Sequence, residues 1–216
     1  MDLNQIWQNI QNAKTQAGIW DQIRLIAVSK NVDCDEVLNL YRQNQLEFGE
    51  NRVQELKRKK EILSNLPLNW HFIGSLQSNK INHLIALRPI LWQSCNSYEL
   101  AVAINKRLNY KLDTLLEINS ASESSKSGLE INKAVDEYLK ISSECKNLNL
   151  CGVMSIGAHT DDIKQIQKSF EITHKIFETL RPNGAQICSM GMSDDYELAI
   201  KCGSNMVRLG RILYNH

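Results

Sequence analysis

The sequence predicts a single (β/α)8 TIM-type barrel with an additional N-terminal helix, occupying residues 1–216 as one domain. Three observations carry that expectation. Short apolar runs of strand length alternate with amphipathic stretches along the chain, the pattern of parallel strands joined by helical crossovers. The runs number eight, which favours a closed barrel over an open doubly wound sheet. No Gly-x-Gly-x-x-Gly string follows the first run, which lowers the dinucleotide-binding alternative.

Each element has a local reason. Leu3, Ile6, Trp7, Ile10, Ala13 and Ala17 recur every three or four residues, so the chain opens on an amphipathic helix that Gly18 closes. The first strand is predicted at 25–29, and the helix after it at 33–44 shows Val37, Leu38 and Tyr41 on one face. A strand at 47–49 leads to a helix at 52–63 built on Val53, Leu56 and Leu63. The remaining strands are predicted at 70–73, 90–94, 114–119, 150–155, 186–189 and 206–209. Helices at 78–87, 97–108, 130–143, 161–180 and 194–201 separate them. The basic run Lys57-Arg58-Lys59-Lys60 lies between Glu55 and Glu61 and is expected to be a solvated helix face. Trp20, Trp70 and Trp92 are expected in the core.

Composition bounds the function. Lys and Arg total 25 against 24 Asp and Glu, a net charge of +1, which argues against a nucleic-acid binder or an acidic-membrane binder. None of the six cysteines forms a C-x-x-C pair, and they are expected to be buried, reduced thiols of an intracellular protein. The five histidines show no metal-ligand spacing, so no metal is expected. No apolar stretch approaches the ~20 residues that span a bilayer. The chain shows no basic-then-apolar leader, so the cytoplasm is expected.

In a parallel barrel the chemistry gathers at the carboxyl ends of the strands. Lys30 directly follows the first strand, where desolvation would favour the uncharged amine that Schiff-base chemistry requires. A snorkelling lysine with its ammonium in water fits the same position. The segments 189–193 and 208–210 follow the last two strands, the usual place for a phosphate in this architecture. Gly191 and Gly210 permit close backbone approach, and Ser193, before Asp194 and Asp195, suits a helix N-cap. A plain turn with a capping serine explains that segment equally well. His71, within an apolar strand, is expected to be a core or rim histidine.

Together these strings resemble the pyridoxal-phosphate homeostasis proteins, relatives of the N-terminal barrel of alanine racemases. The resemblance rests on Ala27–Lys30, 48–55 (FGENRVQE), 70–80 (WHFIGSLQSNK), 123–128 (ESSKSG), 189–194 (SMGMSD) and 207–210 (VRLG), which stand in family order. It implies pyridoxal 5′-phosphate as the cofactor, held as a Schiff base on Lys30. It places the phosphate among Gly191, Ser193 and Gly210, Arg208 near the pyridine nitrogen, and Ser189 among the cofactor-binding residues. It sets Asn51, His71 and Met154 around the ring. The chain departs from the family pattern at Arg211, where a small hydroxyl residue is usual, at Tyr214-Asn215, and at Glu117, where glutamine is usual.

The resemblance implies a cofactor-binding protein of vitamin B6 and amino-acid homeostasis rather than an enzyme. A racemase needs a second base, which racemases of this lineage take from a further domain, and the chain ends within six residues of Gly210. A rim group such as Tyr214 would have to swing in from the terminus to substitute. A Schiff-base lyase acting through Lys30 is the third alternative. A monomer is expected, since the racemase dimer contacts go with that further domain, and no protein partner is identified.

Overall fold

The structure is a computed structural model that describes residues 2–123 and 127–214. Eight parallel strands close into a barrel in sequence order: β1 (Arg24–Val28), β2 (Glu47–Glu50), β3 (Asn69–Phe72), β4 (Leu91–Cys95), β5 (Leu112–Ile118), β6 (Leu148–Ser155), β7 (Ile187–Ser189) and β8 (Met206–Leu209). β1 pairs β2 on one side and β8 on the other, with Ile26 opposite Arg208 and Ala27 opposite Leu209, and this closes the ring.

The helix α1 (Leu3–Ala17) precedes the barrel. The Asp2 carboxylate accepts from the Gln5 N–H to cap it, and Gly18 ends it at φ 66°, a left-handed turn that favours glycine. α1 buries Leu3, Ile6, Ile10 and Ala13 and packs beside the last crossover helix, where the Asn9 amide donates to the Tyr196 hydroxyl at 3.1 Å. The crossovers are α2 (Cys34–Tyr41), α3 (Val53–Ile62), α4 (Ile81–Leu87), α5 (Tyr98–Asn105), α6 (Ala134–Glu144), α7 (Ile163–Leu180) and α8 (Tyr196–Lys201). Two hydrophobic clusters result. The large one lies between strands and helices, and a small one, Ile26, Leu91, Leu115, Met154 and Met206, fills the barrel interior.

Four expectations need correction. The segment 78–87 begins as a 3-10 turn (Ser78–Lys80) before α4. A further short helix, α9 (Arg211–Tyr214), follows β8. Trp20 is 93% exposed, because the loop between α1 and β1 carries it clear of the barrel. Lys59 is not solvated: it is wholly buried on the face of α3 that also carries Val53 and Leu56, where Glu50 supplies its counter-charge at 2.5 Å. All six cysteines are free, with Cys151 and Cys202 only partly buried. Among the described residues no helix is long and apolar enough to cross a membrane, and no cluster of acidic, histidine or cysteine side chains could hold a metal.

Candidate functional site

A cavity of about 810 Å³ opens at the carboxyl ends of the strands. Lys30 after β1 and Asn51 after β2 line one side, and Met154 and Arg208 line it from β6 and β8. Ser193, from the segment after β7, and Gly210 and Arg211, from the segment after β8 and so beside the end of β1, complete the lining. The fold thus brings Lys30, Asn51, Met154, Ser193, Arg208 and Gly210 together. His71, Ser189 and Gly191 do not line the cavity.

Lys30 and Asn31 are the central residues of a turn in which the Val32 N–H donates to the Ser29 carbonyl at 3.1 Å. Lys30 is exposed, so low-dielectric packing is not what the fold gives it; the turn delivers a hydrated amine to the cavity mouth. Just behind it, Ser29, Glu50 and Lys59 are fully buried. The Ser29 hydroxyl donates to Glu50 Oε1 at 2.6 Å, and Lys59 Nζ donates to Glu50 Oε1 and to the Ser29 carbonyl, each at 2.5 Å. A side chain at Gly74 would bring its first carbon to 2.0 Å from the Asn51 carbonyl oxygen, so only glycine lets the end of β3 lie against Asn51.

Arg208 is 5% exposed, and burial lowers its pKa to about 10, opposed by the charges of Asp195 and Glu117. Nη1 donates to the Ser189 hydroxyl at 2.6 Å and Nη2 to the Ser155 carbonyl at 2.7 Å. A polar chain continues into the barrel interior. The Ser189 hydroxyl donates to Gln93 Oε1 at 2.8 Å, and Gln93 Nε2 donates to His71 Nδ1 at 3.1 Å. Burial, with Arg24 adding to it, lowers the His71 pKa to about 3, so the ring is neutral and its Nδ1 is free to accept. Ser189 and His71 therefore brace Arg208 from below instead of touching a ligand. The sequence separation of Gln93 and Arg208 hides this link.

In the segments after β7 and β8 the Gly210 N–H donates to Ser193 Oγ, 3.4 Å away. Ser193 is not the N-cap of α8; Asp195 holds that position, and its carboxylate accepts from the Met192 N–H at 2.6 Å. Burial raises the pKa of Asp195. Asp194 forms an ion pair with Arg211, so one of the two aspartates that would repel an anion is already matched. Gly191 serves packing: its φ is 97°, and a side chain there would meet Ala199 at 2.6 Å. α9 starts at Arg211, and the first N–H groups of any helix lack intrahelical acceptors.

Two further groups face the cavity. Glu117 is buried, which raises its pKa, and it accepts from the Ser127 hydroxyl at 3.1 Å. Tyr214 lines the cavity directly, with no swing from the terminus needed, and its hydroxyl is buried without a partner, as is Glu50 Oε2. Burial first, and Glu50 second, push the Tyr214 phenol well above its ordinary range. Ser124, Ser125 and Lys126 of the segment 123–128, and Asn215, lie outside the described residues.

Comparison with known proteins gives one family. The family described as "Alanine racemase, N-terminal domain" matches residues 1–216. A pyridoxal phosphate homeostasis protein of Helicobacter pylori (strain ATCC 700392 / 26695) is 48% identical over 208 residues, covering 95% of this chain and 93% of its own. PipY of Synechococcus elongatus PCC7942, solved with PLP bound, superposes with a TM-score of 0.81 at 28% identity, covering 95% of this chain and 99% of that one. An alanine racemase of Clostridium difficile 630 shares the fold, with a TM-score of 0.74 at 20% identity over 100% of this chain and 58% of that one.

Proposed function

The chain belongs to the alanine racemase N-terminal-domain family and, within it, to the pyridoxal phosphate homeostasis proteins, and we propose that it binds pyridoxal 5′-phosphate, with Lys30 as the covalent anchor, in intracellular vitamin B6 and amino-acid homeostasis. The observation that carries this reading is the convergence of three groups on one cavity: the Lys30 amine after β1, a candidate anion cradle in the segments after β7 and β8, and the buried, donor-only Arg208 of β8. The donor set fits the cofactor. Ser193, Gly210 and Arg211 suit a phosphate, and Arg208 can donate to a ring nitrogen but cannot protonate it. Met154 and Ile73 offer the apolar contact a ring needs. When bound, pyridoxal phosphate supplies an aldehyde that condenses with a primary amine. The chain's part is to present Lys30 Nζ at the mouth, hold the anion, and keep Arg208 rigid through Ser155, Ser189 and Gln93. Borohydride treatment of the loaded protein, followed by peptide mass spectrometry, tests the reading. The Lys30 peptide should carry the reduced cofactor, and its absence there would defeat the assignment.

Ser193→Asp is expected to weaken pyridoxal phosphate binding by at least about tenfold, because a new carboxylate would face the phosphate at hydrogen-bonding range. Equilibrium dialysis measures this directly; unchanged affinity would put the phosphate elsewhere on the rim.

One observation favours a second reading, racemisation: Tyr214 stands in the cavity where a second base could act. The same burial that places it there keeps its phenol protonated, and a phenol held far above neutral pH is a poor base. Arg208, a donor to the ring nitrogen and not a proton source, limits carbanion stabilisation. Chirality assays with L- and D-alanine are expected to show turnover far below ~1 s⁻¹; a rate near that value would favour the enzyme. A binding protein, cytoplasmic and monomeric, with six free thiols suited to a reducing compartment, is our reading. Sedimentation of the loaded protein tests the monomer.

A further inference from the structure

We propose that the buried Ser29–Glu50–Lys59 network is the positioning device for Lys30, fixing the turn from which the lysine reaches the cavity. The inference rests on Lys30 being the covalent anchor and adds the residues that aim it.

An exposed lysine on a four-carbon stem has many rotamers, so the fold can restrict its reach mainly through the backbone that carries it. That backbone is tied at every hydrogen-bonding group of the preceding residue. The Ser29 N–H donates to the Gly49 carbonyl at 3.0 Å, and its hydroxyl donates to Glu50 Oε1 at 2.6 Å. Its carbonyl accepts from two donors: the Val32 N–H at 3.1 Å, which makes the turn, and Lys59 Nζ at 2.5 Å, which pins it. Lys59 comes from α3, Glu50 from the end of β2, and Ser29 from the end of β1, so one ion pair joins three elements beneath the cavity rim. Glu50 also directly precedes Asn51, so the pair fixes two cavity residues at once.

Stability alone explains this arrangement poorly. Apolar residues of similar size often stabilise a core at least as well as a buried ion pair. What the charges add is direction: two short hydrogen bonds from one ammonium hold the Ser29 carbonyl and the Glu50 carboxylate in a single geometry.

The covalent step reports on that geometry. Lys30 Nζ displaces the aldehyde oxygen, which leaves as water, and borohydride then adds a hydride to the carbon of the C=N bond while solvent protonates the nitrogen. The experiment compares the intact protein with Glu50→Gln/Lys59→Met, which removes both charges together and keeps their volume. Three quantities are read: thermal unfolding, affinity for pyridoxine 5′-phosphate, which lacks the aldehyde, and the rate at which the Lys30 peptide becomes reducible with pyridoxal phosphate. We expect a folded double variant with pyridoxine phosphate affinity within about threefold of the parent, and covalent capture slowed by about 10- to 100-fold, as an ångström-scale misplacement of a reacting group costs. Capture at the parental rate would overturn the proposal. If the double variant does not fold, Ser29→Ala decides the matter, since it keeps the ion pair and removes only the hydroxyl: slower capture supports the network and unchanged capture overturns it. A parent protein that forms no reducible bond at Lys30 would instead defeat the reading of the anchor itself.

Discussion

Lys30→Ala is expected to abolish covalent attachment of pyridoxal phosphate while leaving the barrel folded. The side chain is exposed on a two-residue turn, and its stem contributes little to the core. Surface substitutions of this kind usually change stability by no more than about 0.5 kcal/mol, so thermal unfolding should shift by no more than about 2 °C. The candidate phosphate cradle at Ser193, Gly210 and Arg211 belongs to other segments, after β7 and β8, and remains. The variant should therefore still bind pyridoxal phosphate, weakly and reversibly, without a borohydride-reducible chromophore. A chromophore at full occupancy would mean that another amine anchors the cofactor. Among the described residues that line the cavity, Lys30 is the one lysine.

The second large effect is on stability. Lys59→Met alone should destabilise the protein by about 3–5 kcal/mol, because it leaves the Glu50 carboxylate buried without a counter-charge. For a chain of this length that corresponds to a fall in Tm of roughly 6–20 °C. Adding Glu50→Gln should recover most of the loss, since a neutral pair is far less costly to bury than a lone charge. Equal melting temperatures for the parent and Lys59→Met would mean that water reaches Glu50 and that the ion pair is not sealed as described.

The strands were legible because parallel strands buried on both faces are near-continuous apolar runs, and all eight fall within two residues of the expected bounds. Lys30, Asn51, Met154, Ser193, Arg208 and Gly210 were legible for a different reason: each follows or ends a strand at its carboxyl end, the one place a barrel exposes to a ligand. What the sequence hid was partnership across the ring. Lys59 sits three residues after Leu56 and six after Val53, so its helical phase marks the buried face, but the basic run around it suggests the opposite. The phase was the better signal. His71, Ser189 and Gln93 belong to the interior because their strands alternate inward there, and only closure of the barrel brings them into one chain beneath Arg208. Tyr214 was misplaced because α9 is too short to announce itself by periodicity, yet that one turn folds the tyrosine back over the cavity. Lys30 follows β1 as expected, and of the two settings its position left open, its exposure matches the snorkelling one.

The central claim, that Lys30 is the covalent anchor in a cavity that holds the phosphate at the segments after β7 and β8, is tested most directly by a crystal structure of the protein soaked with pyridoxal phosphate. The account predicts continuous density from Lys30 Nζ to the ligand's former aldehyde carbon, with the phosphate against Ser193 and Gly210 and the ring nitrogen facing Arg208. Density for the ligand detached from Lys30, joined to another lysine, or with its phosphate away from Ser193 and Gly210 would contradict it.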